Sequence, residues 1–91
     1  MIEEAKIEAV KNYLQGEFPK CQIDYAVDDE RLSQKFRVVS EHTIQIVKFE
    51  RIFLDDNSDI MNVLQRLGLG KFMRANSGKQ VLVTKGGLRV L

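Results

Sequence analysis

The chain has 91 residues, of which 44% are hydrophobic and 30% charged, a composition typical of one folded domain and not of a disordered protein. The formal net charge of +1 excludes a protein that is strongly acidic or basic throughout. No apolar run approaches the roughly 20 residues that a membrane-spanning helix needs, so no membrane partner is predicted.

Cysteine content and the first residues indicate the compartment. Cys21 is the single cysteine, so an internal disulfide is excluded. Charged residues near the start, Glu3 and Glu4 first among them, exclude the apolar core of a secretory signal. Together these features predict a soluble protein of the cytoplasm.

The first predicted element is a helix over residues 2–15. Ile7, Val10 and Leu14 recur at three- and four-residue spacing, which is typical of one buried helical face. Cys21–Val27 follows, with apolar and polar residues in alternation, and this pattern predicts a strand.

Two more strands are predicted in the segment 36–54, the longest stretch rich in Val, Ile, Phe and Thr. A turn near His42 divides it into strands at about 35–40 and 43–53. The apolar pattern of the second strand changes parity near Ile46 and Val47, whereas a strand buried on one face keeps one parity. Either a bulge lies at this point or the strand is covered on both faces, and the second alternative is favoured.

A second helix is predicted over about 58–67, with a buried stripe that includes Ile60 and Leu64, and Gly68 and Gly70 end it. Glycine-containing turns then separate three short strands. These predicted strands are Lys71–Ala75, Gln80–Thr84 and Leu88–Leu91.

The predicted fold class is therefore α+β, in the order α-β-β-β-α-β-β-β, with two helices packed on one face of an antiparallel sheet. Residues 1–91 form a single small domain, and the order raises the alternative of a weak internal repeat, 1–54 and 55–91. The predicted core comprises Ile7, Val10, Leu14, Ile23, Val38, Ile44, Ile46, Phe49, Ile52, Ile60, Leu64, Leu67, Val81 and Val83.

Motifs for catalysis, metals and cofactors are lacking. Cys21 has no neighbouring base to form a thiolate, and one histidine, His42, cannot build a zinc site. The segment Gly68–Lys71 resembles a phosphate loop, but position 65 is not glycine and position 72 is not Ser or Thr. No catalytic residue, metal or cofactor is predicted, and the protein is predicted not to be an enzyme.

Charge is distributed unevenly along the chain. Residues 66–91 contain six Lys or Arg residues and no Asp or Glu, whereas all 13 acidic residues lie in 1–65. A basic segment with an aromatic residue can contact phosphates and stack a base. Weak nucleic-acid binding through the C-terminal third is the predicted function. Its candidate residues are Lys71, Phe72, Arg74, Lys79 and Lys85.

The alternative function is a protein-interaction or homodimerisation module without a nucleic-acid role. An acidic first part and a basic last part can pair between chains. The terminal strand Leu88–Leu91 also offers an edge for sheet extension.

Overall fold

A computed structural model describes residues 4–27 and 33–91 of the chain. Within these residues the elements are α1 Glu4–Glu17, β1 Gln22–Val27, β2 Ser33–Val39, β3 Ile44–Glu50, α2 Arg51–Asp56, α3 Ile60–Leu67, α4 Leu69–Ala75, β4 Val81–Thr84 and β5 Gly87–Val90. The predicted α+β class is confirmed. The predicted order is wrong after β3, where three helices precede the last two strands.

The strands form one mixed sheet in the order β1-β2-β3-β4-β5. Neighbouring strands are antiparallel except β3 and β4, which are parallel. The prediction of an antiparallel sheet is therefore wrong at this pair. The physical reason is the connection between them, because a long helical crossover returns the chain to the end of the sheet from which β3 started.

The helices cover one face of the sheet, and their apolar side chains share one core with alternate strand residues. Val10 and Leu14 of α1 are buried in this core at the helical spacing that the sequence predicts. Phe36 of β2 meets Phe49 of β3 edge to face, with 5.5 Å between ring centroids. The other face, here called the open face, has no buried side chain in the described strands.

The core prediction is confirmed for nine residues, which are Val10, Leu14, Ile23, Val38, Phe49, Ile60, Leu64, Val81 and Val83. Ile7 and Ile46 are half-buried. The prediction is wrong for Ile44, Ile52 and Leu67, which are exposed. Ile44 lies on the open face, Ile52 belongs to α2 and not to a strand, and Leu67 is the last residue of α3.

Both explanations offered for the parity change in β3 are wrong. The register with β2 runs without a bulge from Ser33↔Glu50 to Val39↔Ile44. The strand is covered on one face only, because Val47 and Phe49 are buried while Ile44 is 57% exposed. The parity changes because Ile44 and Ile46 are apolar residues of the open face, whereas Val47 and Phe49 belong to the core face. Ile52 and Leu54 belong to α2, which has a different period.

The predicted strand Lys71–Ala75 is also wrong, because these residues lie in α4. Leu69 and Met73, four residues apart, are both buried, which is a helical spacing. Gln45 of β3 holds the end of this helix, since its side-chain Nε2 donates to the carbonyl oxygen of Met73 at 3.0 Å. Helix α4 therefore ends where the sequence predicted a hairpin turn, and that hairpin is absent from the described residues.

Candidate nucleic-acid interface

The five residues predicted from the sequence do not form one patch. Lys71, Phe72 and Arg74 lie on α4. Lys79 precedes β4 and Lys85 follows it, so these two lysines lie at opposite ends of that strand. The five residues are therefore divided between α4 and the two ends of β4.

Three of the five have intramolecular partners. Arg74 lies 3.4 Å from the carboxylate of Glu17 and 5.6 Å from the centroid of the Phe18 ring. Lys85 lies 3.3 Å from a carboxylate oxygen of Asp56. Phe72 is half-buried and packs against the core, so its ring is not free to stack on a base.

The position of α4 depends on contacts with α1. The hydroxyl of Tyr13 accepts a hydrogen bond from the Gly70 amide at 3.0 Å. Burial raises the pKa of Tyr13 above its ordinary value, which keeps the hydroxyl protonated. A side chain at position 70 would displace the flexible side chain of Glu17, which lies beside Gly70.

A different set of cations lies in one row across the open face. Lys35 of β2 is the register partner of Lys48 of β3, which is the partner of Leu82 of β4, and Leu82 pairs with Arg89 of β5. Adjacent strands are about 4.8 Å apart, so the backbone span of this basic row, Lys35, Lys48 and Arg89, is roughly 14 Å. Three strands thus contribute one cation each to a line that Leu82 of β4 interrupts.

The basic row places like charges opposite each other. Lys35 and Lys48 are directly paired, and like charges in such positions repel. Arg37, on the same face, lies 3.5 Å from Asp24 of β1, so its charge is already paired. The row therefore places two positive charges side by side on the open face.

Apolar side chains lie beside the basic row. Val39 and Ile44 are register partners, and Ile46 follows Ile44 on the same face of β3. These three residues, here called the apolar strip, are half-buried or exposed. The open face therefore combines a cationic band with an aliphatic surface, and it has no aromatic side chain in the described strands.

Counting charge along the chain did not identify Lys35 and Lys48, because residues 1–65 are acidic in total. A signal for them was present. Lys35 and Arg37 alternate with the buried residues Phe36 and Val38, and Lys48 stands between two buried residues in the same way. That alternation assigns the basic side chains to the open face.

In residues 4–27 and 33–91, no group of three or more His, Cys, Asp or Glu side chains could hold a metal ion. Cys21 is half-buried, and His42 is exposed in the turn between β2 and β3. No helix in the described part of the chain has the length and apolarity required to cross a membrane.

Comparison with known proteins gives no match among protein-family models, curated proteins or solved structures. A function can therefore be inferred only from the geometry of the protein itself, above all that of the open face.

Proposed function

We propose that this protein is a non-enzymatic domain that binds nucleic acid through the open face of its sheet. The observation that carries the proposal is the basic row, in which Lys35, Lys48 and Arg89 come from three strands and align beside the apolar strip. The row can contact successive phosphates, and the strip can contact the faces of unpaired bases.

The expected binding is weak and largely independent of sequence. Phosphate contacts position a nucleic acid but do not read its bases. Aliphatic side chains on the strip replace the aromatic stacking platforms that give other single-strand binders much of their affinity. A flat sheet face also suits a single strand, whose bases are accessible, better than the grooves of a duplex.

Salt dependence gives the first test. If the basic row neutralises three phosphates of a single strand, the logarithm of the binding constant falls by about 2 for a tenfold rise in salt. Fluorescence anisotropy of a labelled single-stranded oligonucleotide at several salt concentrations measures this slope. A slope near zero would contradict phosphate binding.

Charge-reversal variants locate the contact. Arg89→Glu should weaken binding and lower the salt slope, whereas Lys71→Glu changes net charge equally at an exposed site on α4 and serves as the matched control. Equal losses in the two variants would show only a general charge effect.

The C-terminal residues remain the alternative nucleic-acid site. Lys71 and Lys79 have no ion-pair partner among the described residues, and the partners of Arg74 and Lys85 are carboxylates at the surface. Exposed pairs of this kind contribute little, about 0–1 kcal/mol, so a phosphate could replace them. A larger loss for Lys71→Glu and Lys79→Glu than for Arg89→Glu would favour this site.

A second candidate function, homodimerisation or binding of another protein, is favoured by the exposure of Ile44 on the apolar strip. Two open faces that meet would bring two basic rows together. Their repulsion is screened by salt, so self-association through this face should strengthen as salt rises, which is opposite to nucleic-acid binding. Sedimentation at low and high salt separates the two functions.

A further inference from the structure

Strand β5 has one paired edge and one free edge. Its only neighbour in the described sheet is β4. The amide of Leu91 donates to the carbonyl of Gln80 at 2.9 Å, so alternate residues of β5 point their backbone groups toward β4. By this alternation, the amides and carbonyls of Leu88 and Val90 point outward, where another strand could bind them.

The helix layer covers β5 only in part. Val81 and Val83 of β4 are buried, whereas Val90 remains 40% exposed on the same side of the sheet and Leu88 is half-buried. Burying such side chains further would add hydrophobic stabilisation at roughly 25 cal/mol per Å². The free edge therefore comes with an apolar surface beside it.

A cavity adjoins the start of β5. Its volume is about 320 Å³, and its apolar walls include Phe53 and Val63 from the helix layer. Gly87 of the strand and the ion pair of Asp56 and Lys85 also line it. Leu67, the exposed last residue of α3, also lines it. This space can receive an apolar side chain from a strand that pairs with β5.

Charge on the two sides of β5 differs. Leu88 and Val90 face the helix side, whereas Arg89 faces the open side. Lys85 lies in the turn before the strand, but its charge is paired with Asp56, so Arg89 is the cation that a partner strand would meet. A strand that pairs with β5 would thus meet apolar side chains on one face and a cation on the other.

We propose that the outer edge of β5 binds an extended segment of a partner protein as a sixth strand, with apolar residues at every second position and acidic residues between them. Backbone hydrogen bonds would supply affinity, and the alternating side chains would supply specificity, as in other cases of strand addition. A second copy of β5 fits less well, because it carries Arg89 where the partner needs an acidic residue. This inference does not require the proposed nucleic-acid function, and the two share only Arg89.

Synthetic peptides provide the test. The probe is a short peptide that alternates valine and glutamate, and its control has the same composition with the glutamates grouped at one end. The alternating peptide should bind, and the amides of Leu88 and Val90 should gain protection from hydrogen exchange. Equal binding of the two peptides, or no binding of either at millimolar concentration, would contradict the proposal.

Two variants sharpen this experiment. Val90→Pro removes an outward amide at an exposed edge position where proline is tolerated, so binding should weaken by about tenfold while the amide shift of Leu82 stays unchanged. Arg89→Glu should instead transfer the preference to a valine–lysine peptide, and Lys71→Glu should not. Protection of Leu88 and Val90 that rises with protein concentration alone would show that a second copy occupies the edge, and would overturn the assignment.

Discussion

The two faces of the sheet are formed by the same strands but carry different side chains. On β2 and β3, Phe36, Val47 and Phe49 are almost fully buried under the helices. The residues between them, Lys35 and Lys48, are on the open face. The alternation of side chains within a strand, and not the total charge of a chain segment, therefore decides where a charged surface forms.

The largest difference between the faces should appear in stability. Phe49→Ala removes a ring that contacts the rings of Phe36 and Phe53, and should lower the free energy of unfolding by about 3–5 kcal/mol. Ile44→Ala on the open face of the same strand is the matched control, and should change it by less than about 1 kcal/mol. Denaturant unfolding measures both, and similar losses would mean that the open face is covered.

Leu64→Ala tests the helix layer. Leu64 of α3 is fully buried, so its truncation should cost about 2–5 kcal/mol of unfolding free energy. Leu67→Ala, at the exposed end of the same helix, should cost less because its side chain is partly in water already. A loss below about half a kcal/mol for Leu64→Ala would show that α3 does not pack on the sheet.

A smaller effect is expected from the polar contact between the sheet and α4. Gln45→Leu removes one of the two donors to the Met73 carbonyl, and it should cost about 0.5–1.5 kcal/mol because the Asn76 amide still donates to that carbonyl. Gln22→Leu changes an exposed glutamine of β1 and is the control. Thermal unfolding compares the two variants, and equal midpoints would contradict the capping role of Gln45.

The smallest effect concerns the basic row and has the opposite sign. Lys35→Glu replaces a like-charged pair across β2 and β3 with an opposite-charged pair, so it should raise stability by about 0.2–1 kcal/mol. The same change should weaken nucleic-acid binding. Lys71→Glu, on α4, is the control and should change both stability and nucleic-acid affinity less than Lys35→Glu does. A Lys35→Glu variant that is less stable than the unchanged protein would show that the two lysines do not repel.

Sequence patterns predicted the long elements well. Helix α1 and strands β1 and β2 have periods that persist over six or more residues, and their buried positions follow from spacing alone. In β3 the apolar Ile44 on the open face obscures this spacing. Helices α2 and α4 have only six and seven residues, so their apolar residues fit a strand pattern as readily as a helical one. Gly68 was correctly predicted to end α3, but its left-handed conformation also begins α4, which the sequence pattern did not indicate.

The candidate site was less predictable than the fold. Arg89 belongs to both the basic C-terminal third and the basic row. Its register partner Leu82 is in turn the register partner of Lys48, so Arg89 and Lys48 lie in the same row. This neighbour relation depends on a parallel pairing between β3 and β4 that local turn signals cannot specify, since the strands are joined by a long crossover. Long-range register, and not residue type, was the missing information.

Side-chain chemical shifts give the most direct test of the proposed binding of nucleic acid to the open face. On titration with a single-stranded oligonucleotide at low salt, the methyl signals of Ile44, Ile46 and Leu82 should shift, while those of the buried Val47 and Val81 should not. Shifts confined to the signals of α4, or no shifts at about 50 mM salt, where phosphate contacts are strong, would contradict the claim.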